Sequence, residues 1–274
     1  MKVIMFLIVI ALLGKTNTSA QDFKNINHKV ALAGEVLVYK VKWTFLRLGT
    51  ITIKTESVEG QPGYLKVSMT VESNPTLFFI DVKEYNESII DLKNYRSVSF
   101  YAEHNNGDES LKIYTWYDDD SKTAIVRMID EVSKQEIKSD TIYNALRYVE
   151  GPSLFFLTRV LKKNGGTHNI PTMVEGEIAN TKLVFSDEKE EFEVDAFDHP
   201  VMAEKYFGFA EWEGGSTQDM SGEFTGWITD DDASIPVYAE LKILLGNLKL
   251  ELEYCNRNQL VKNSKKDFLN TSNY

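Results

Sequence analysis

Three stretches of this sequence combine side chains that hold metals or move protons. Asp195-Ala196-Phe197-Asp198-His199 sets two carboxylates beside an imidazole, a donor set suited to a divalent metal or an acid–base pair. No third ligand stands near it, so a strand end entering an Asx turn is the preferred reading. The triplets Asp118-Asp119-Asp120 and Asp230-Asp231-Asp232 offer calcium-type oxygens without the glycine and terminal glutamate spacing of a calcium loop, and read as solvated turns. Cys255 lacks a placed His and Asp to activate it and reads as an inert, buried thiol. His28, His104, His168 and His199 are too scattered to suggest a ligand cluster. The hydrolase elbow, the zinc His pair and the glycine-rich phosphate loops are absent from the sequence. The expectation is therefore no catalytic residue, no metal and no cofactor.

The aromatic residues carry more information. Trp43, Phe45, Phe78, Phe79, Phe155, Phe156, Tyr206, Phe207, Phe209, Trp212 and Trp227 would line an apolar cavity in a curved sheet, or fill a packed core. From these, Trp43, Phe45, Phe155, Phe156 and Trp227, with Arg159, are the candidate ligand-binding residues.

The elements that must position them alternate with period two. Leu37, Tyr39, Val41 and Trp43 share one face while Lys40 and Lys42 take the other; Leu65, Val67, Met69 and Val71 alternate with Lys66, Ser68, Thr70 and Glu72. Asn106-Gly107 supplies the positive φ angles of a hairpin turn between strands at 97–103 and 110–117. Further strands are expected at 123–129, 135–143, 168–174, 177–185, 190–196, 201–209, 222–229, 235–244 and 247–254. Residues 152–161 form the one convincing helix. Pro152 suits its first turn, Gly165-Gly166 its end, and Leu154, Phe155, Leu157 and Leu161 its apolar face. With no alternating β and α units, the fold class is all-β: one large curved antiparallel sheet, or a partly closed barrel, with a short central helix.

Composition sets the context. The chain is 43% hydrophobic, enough for a substantial core, and its formal net charge of −11 disfavours a phosphate backbone as partner. Its single cysteine excludes an intramolecular disulfide framework. Residues 1–20, with Met1-Lys2, an apolar run over 3–13 and small Ala20, have the pattern of a cleavable export signal. The organisation expected is signal peptide 1–20, one β-rich domain over 21–255 and a polar tail over 256–274, with no transmembrane segment in the mature chain.

Three stretches, GEVLVYKVKWTFLRLGTITI, PSLFFLTRVLKKNGG and GWITDDDASIPVYAELKILLGNLKLEL, resemble the exported bacterial family catalogued as domain of unknown function 3108. Gly34, Tyr39, Trp43, Gly49, Arg159, Trp227, Asp231, Pro236 and Gly246 fall at its marked positions. Ser234 departs from it, because a basic residue is expected before the Ile-Pro pair. The resemblance implies a periplasmic antiparallel β protein without established activity, somewhat like half-barrel lipid carriers. Two functional expectations follow: an exported carrier of a hydrophobic, acyl or lipid-like ligand, or an envelope interaction module that binds another protein. An uncharacterised hydrolase stands third. A hollow concave face favours the carrier and a filled one the module.

Overall fold

The computed structural model describes residues 30–78, 81–106, 109–145, 148–210, 220–243 and 246–257. The expected signal segment 1–20, the tail from 258 onward, His28, Phe79, Trp212 and Gly107 of the hairpin turn lie outside the described residues.

The described residues form β1 (Val36–Trp43), β2 (Leu46–Ser57), β3 (Tyr64–Ser73), β4 (Val82–Asp91), β5 (Arg96–Asn106), β6 (Glu109–Asp118), β7 (Thr123–Asp130), β8 (Gln135–Tyr143), α1 (Gly151–Leu161), β9 (Thr167–Val174), β10 (Glu177–Phe192), β11 (Val201–Ala210), β12 (Met220–Thr229), β13 (Pro236–Ile243) and β14 (Gly246–Cys255). All strands belong to one sheet in the order β8-β7-β6-β5-β4-β3-β2-β1-β14-β13-β12-β11-β10-β9. Every neighbour in chain order is a neighbour in space except β8 and β9, which form the two edges with α1 between them in sequence. β1 and β14 close the meander by pairing antiparallel at its centre.

α1 explains how the sheet is rolled. Phe156, Leu157, Val160 and Leu161 join one core with Leu37, Ile53, Leu65 and Ile90 of β1–β4, and with Ile170 and Leu183 of β9 and β10. Strands from opposite ends of a flat sheet could not reach one helix of eleven residues. The sheet therefore curls around α1 without closing. Across the open seam the Lys138 Nζ donates to the Gly176 carbonyl at 3.2 Å. Met173 of β9 also packs with Ala102, Ile113, Ala124 and Val126 of β5–β7. These contacts join the two edges without a hydrogen-bonded ladder.

The helix starts by a reciprocal cap. Glu150 accepts from the Ser153 backbone N–H through its side chain, and the Ser153 hydroxyl accepts from the Glu150 N–H at 2.8 Å. A 3-10 turn and then Gly165 and Gly166, with φ of 57° and 71°, end it.

Two sequence expectations are corrected. The strands expected at 177–185 and 190–196 are one strand, β10, with a register shift between Phe185 and Lys189 that hides its continuity. β4 was not anticipated, because its core-facing side carries Glu84, Asn86 and Ser88 before Ile90, which erases the apolar alternation.

Candidate functional site

Directly opposed residues in an antiparallel ladder share a face, so the register assigns every side chain to the concave, helix-bearing side or the convex one. The lower part of the concave face is sealed. Phe156 is 1% exposed and lies 6.1 Å from the Tyr95 ring, while Tyr39 meets Phe155 edge-on and donates its hydroxyl to the Pro236 carbonyl at 2.9 Å.

Arg159 lies inside this filled half. Its guanidinium grips Glu35 through Nη1 at 2.6 Å and Nη2 at 3.2 Å, and donates to the carbonyls of Ser234 at 2.9 Å and Ala233 at 3.0 Å. Arg257 gives Glu35 a second cation. Arg159 and Glu35 are each 1% exposed. The helix thus clamps the β12–β13 loop through backbone carbonyls, so Ser234, in place of the expected basic residue, loses nothing from this contact. Glu150 is also buried, where it accepts from the Ser97 hydroxyl at 2.6 Å and from the Tyr117 hydroxyl. Burial outweighs these donors and pushes its carboxyl up to about 7.

Above Tyr39 the same strands change character. One concave row runs Val71–Ile51–Tyr39, and the next runs Ser73–Gly49–Val41–Leu250–Ala239. A third runs Leu46–Trp43–Leu248–Leu241–Phe224. Val71, Ile51, Val41, Leu250, Leu248 and Leu241 are apolar and only half-buried, in contrast to Leu37, Ile53, Leu65 and Leu252 lower on the same strands. They form an apolar trough crossing β3, β2, β1, β14 and β13, roughly 19 Å at the usual strand spacing. On its β11–β12 flank the floor is occupied: a Cβ on Gly208 would sit 1.9 Å from the Phe224 ring, and one on Gly226 2.3 Å from the Tyr206 ring. On the opposite flank the trough meets polar groups. Glu84 opposes Val71, Asn86 opposes Met69, and His104 of β5 opposes Glu84. His104 Nε2 lies 3.0 Å from Asn86 Oδ1, and its Nδ1 lies 3.9 Å from Glu175 in the β9–β10 turn.

Two further grooves are surface features. One of about 410 Å³ lies at the β3–β4 connection between Pro75, Phe78 and Val82, and one of about 320 Å³ between Phe207, Phe224 and Lys242.

The candidate residues separate. Trp43 falls on the trough's third row. Phe155 is half-buried beside Tyr39 at the boundary of the two halves. Phe156 and Arg159 are closed inside the core. Phe45 stands apart from them, 95% exposed on the β1–β2 turn, where its neighbour Thr44 has a φ of 54°. Trp227 lies apart as well. It opposes Tyr238 and Lys205, on the convex face, where Phe192 covers it at 5.5 Å. Even parity along β12 carries the concave residues, and Trp227 falls on the odd one.

The polar clusters singled out in the sequence take up turn and surface roles. Asp195 pairs with Lys40 at 2.6 Å, and Asp198 with its neighbour His199 at 2.6 Å. Asp118 accepts from the backbone of Asp120 at 3.0 Å, and Asp231 from Ala233 and Ser234 at 3.0 Å each. Among the described residues no three metal-ligating side chains gather. Cys255 is half-buried, less than expected, and burial raises its thiol above the usual range. Sequence reasoning missed Glu35, Glu150 and Glu84. For Glu150 the signal was present, an acid directly before a Gly-Pro helix start.

A family model described as protein of unknown function (DUF3108) matches residues 38–253. No curated protein matches the sequence significantly. Among solved structures, a β-barrel-like protein of the domain of unknown function DUF1849 from Brucella abortus superposes with a TM-score of 0.55 at 7% identity, over 82% of this chain and 98% of that one. A proposed exported protein with a YmcC-like fold from Bacteroides fragilis gives a TM-score of 0.31 at 9% identity, over 82% and 96% of the two chains. The first of these likenesses shows the fold alone, β-barrel-like.

Proposed function

The chain belongs to the DUF3108 family, whose description assigns no activity, and we propose that it is an exported binding or carrier protein holding an apolar chain in the upper concave trough. The observation that carries this reading is the half-exposure of Val41, Val71, Leu241, Leu248 and Leu250 on the face that is otherwise core. Soluble proteins seldom leave a contiguous apolar strip uncovered without an occupant. The role is binding without turnover, with α1 as a fixed plug beneath the ligand. Export and a periplasmic location rest on the pattern of residues 1–20.

Native mass spectrometry of protein purified from its own cell envelope tests the proposal. A retained apolar adduct that organic extraction removes is expected; consistently unliganded protein is the opposing result. The competing interaction-module reading has its own observation. Trp116, Ile125 and Tyr143 are 43%, 41% and 75% exposed on the convex face next to the β8 edge, and crosslinking to an envelope protein through them would favour it.

A further inference from the structure

We infer that the trough selects amphiphiles with a cationic head over those with an anionic one, an inference that rests on the trough being a ligand site. The reason is how the register distributes charge. On the strands that build the trough and its polar flank, β1–β5 and β12–β14, Lys40, Lys42, Arg47, Lys54, Lys66, Lys83, Lys242 and Lys249 all fall on the convex side. Several are paired there, as Lys40 and Lys42 with Glu251 at 2.7 and 2.9 Å and Arg47 with Glu253 at 2.7 Å. Arg96, the remaining cation of these strands, opposes Asp91 at the far end of β5 and pairs with Asp119, away from the trough.

The concave side is the reverse. Its charged group at the trough is Glu84, cross-strand from Val71 and therefore about 5 Å from it between Cβ atoms. Glu175 approaches the same flank through His104. Lys138, the nearest cation of the seam strand, is taken by Glu177 and the Gly176 carbonyl. Glu84 is half-buried and has no cation within ion-pair distance among the described residues. One pleat step below Asn86 on the same face, the Ser88 hydroxyl is fully buried without a hydrogen-bond partner. An apolar floor ending in an uncompensated carboxylate, an amide and an imidazole fits an alkyl chain that ends in an ammonium group or another donor-rich head. A carboxylate or phosphate head would meet like charge with no basic residue to offset it.

The test compares three probes of equal chain length below their micelle concentrations: dodecylammonium, dodecanoylglycerol and dodecanoate, each titrated calorimetrically into the purified protein. The expected order is cationic tightest and anionic weakest, at least tenfold apart at low salt and converging as salt is raised. Glu84→Gln should weaken the cationic probe about fivefold and leave the neutral one unchanged, and Glu84→Lys should reverse the order, with melting curves confirming that both variants fold. Equal binding of dodecanoate and the cationic probe, or no response to either variant, would overturn the inference while leaving the trough as a site. Binding of none of the three would instead overturn the trough reading itself.

Discussion

The lower and upper halves of the concave face are built from the same strands with the same alternation, yet one is a core and the other a half-exposed trough. On β1, Leu37 and Tyr39 are 1% and 4% exposed whereas Val41 and Trp43 above them are only half-buried; on β3, Leu65 and Val67 contrast with Met69 and Val71 in the same way. The difference lies in what covers them. α1, tied down by the Arg159–Glu35 pair and capped by Glu150, fills the lower half, and the core it joins does not extend to Val41, Val71, Leu241, Leu248 or Leu250. Period-two patterning therefore reports which way a strand residue points, and the location of α1 decides which of those residues become core.

The comparison breaks most visibly at the clamp. Glu35→Gln leaves the buried Arg159 guanidinium without its carboxylate, and a loss of about 3–5 kcal/mol is expected by urea denaturation; Arg159→Met, which leaves Glu35 its second cation Arg257, should cost less. A loss below about 1 kcal/mol would mean that α1 is held by apolar packing alone. Deleting a lower-half ring, Phe156→Ala, should cost a similar 3–5 kcal/mol through the cavity it leaves.

Glu150 gives the next effect, and it is set by pH. Its carboxyl titrates near 7 in the folded chain against 4.5 for an ordinary glutamate. Between those values the folded state keeps a proton that the unfolded state has released, so this group's contribution is full below about pH 4.5 and is lost as pH rises through 7. The span corresponds to roughly 3 kcal/mol. Glu150→Gln, which cannot ionise, should flatten stability against pH over that window. An unchanged slope would place the titration elsewhere. The smallest effect belongs to the upper half: Leu248→Ala should cost no more than about 1 kcal/mol, because the side chain is already partly in water. A loss as large as that of Phe156→Ala would erase the distinction between the halves.

Much of the architecture was legible in the sequence. Alternation in 64–72 and 201–209 gave β3 and β11 within one residue, and the Pro152 and Gly165-Gly166 punctuation bracketed α1. β4 escaped because Glu84, Asn86 and Ser88 point inward, against the polarity rule for a one-sided strand. The site was legible only in part. Trp43 sits on the concave side because it keeps step with Tyr39, whereas Trp227 is displaced to the convex side by a parity that only the β11–β12 register reveals. Residue type could not distinguish a trough-lining leucine such as Leu250 from a core leucine such as Leu252, since the two differ only in height relative to α1. Glu35 and Arg257 meet across |i−j| = 222, a contact that local spacing cannot announce.

The most direct test of the trough places a charge on its floor and another on the convex face, then measures binding of the neutral dodecanoylglycerol by calorimetry. Leu250→Glu should abolish binding while shifting the melting temperature by only a few degrees, and Trp116→Glu should leave binding unchanged. Binding that survives Leu250→Glu, or that disappears with Trp116→Glu, would contradict the assignment of the ligand to the concave side.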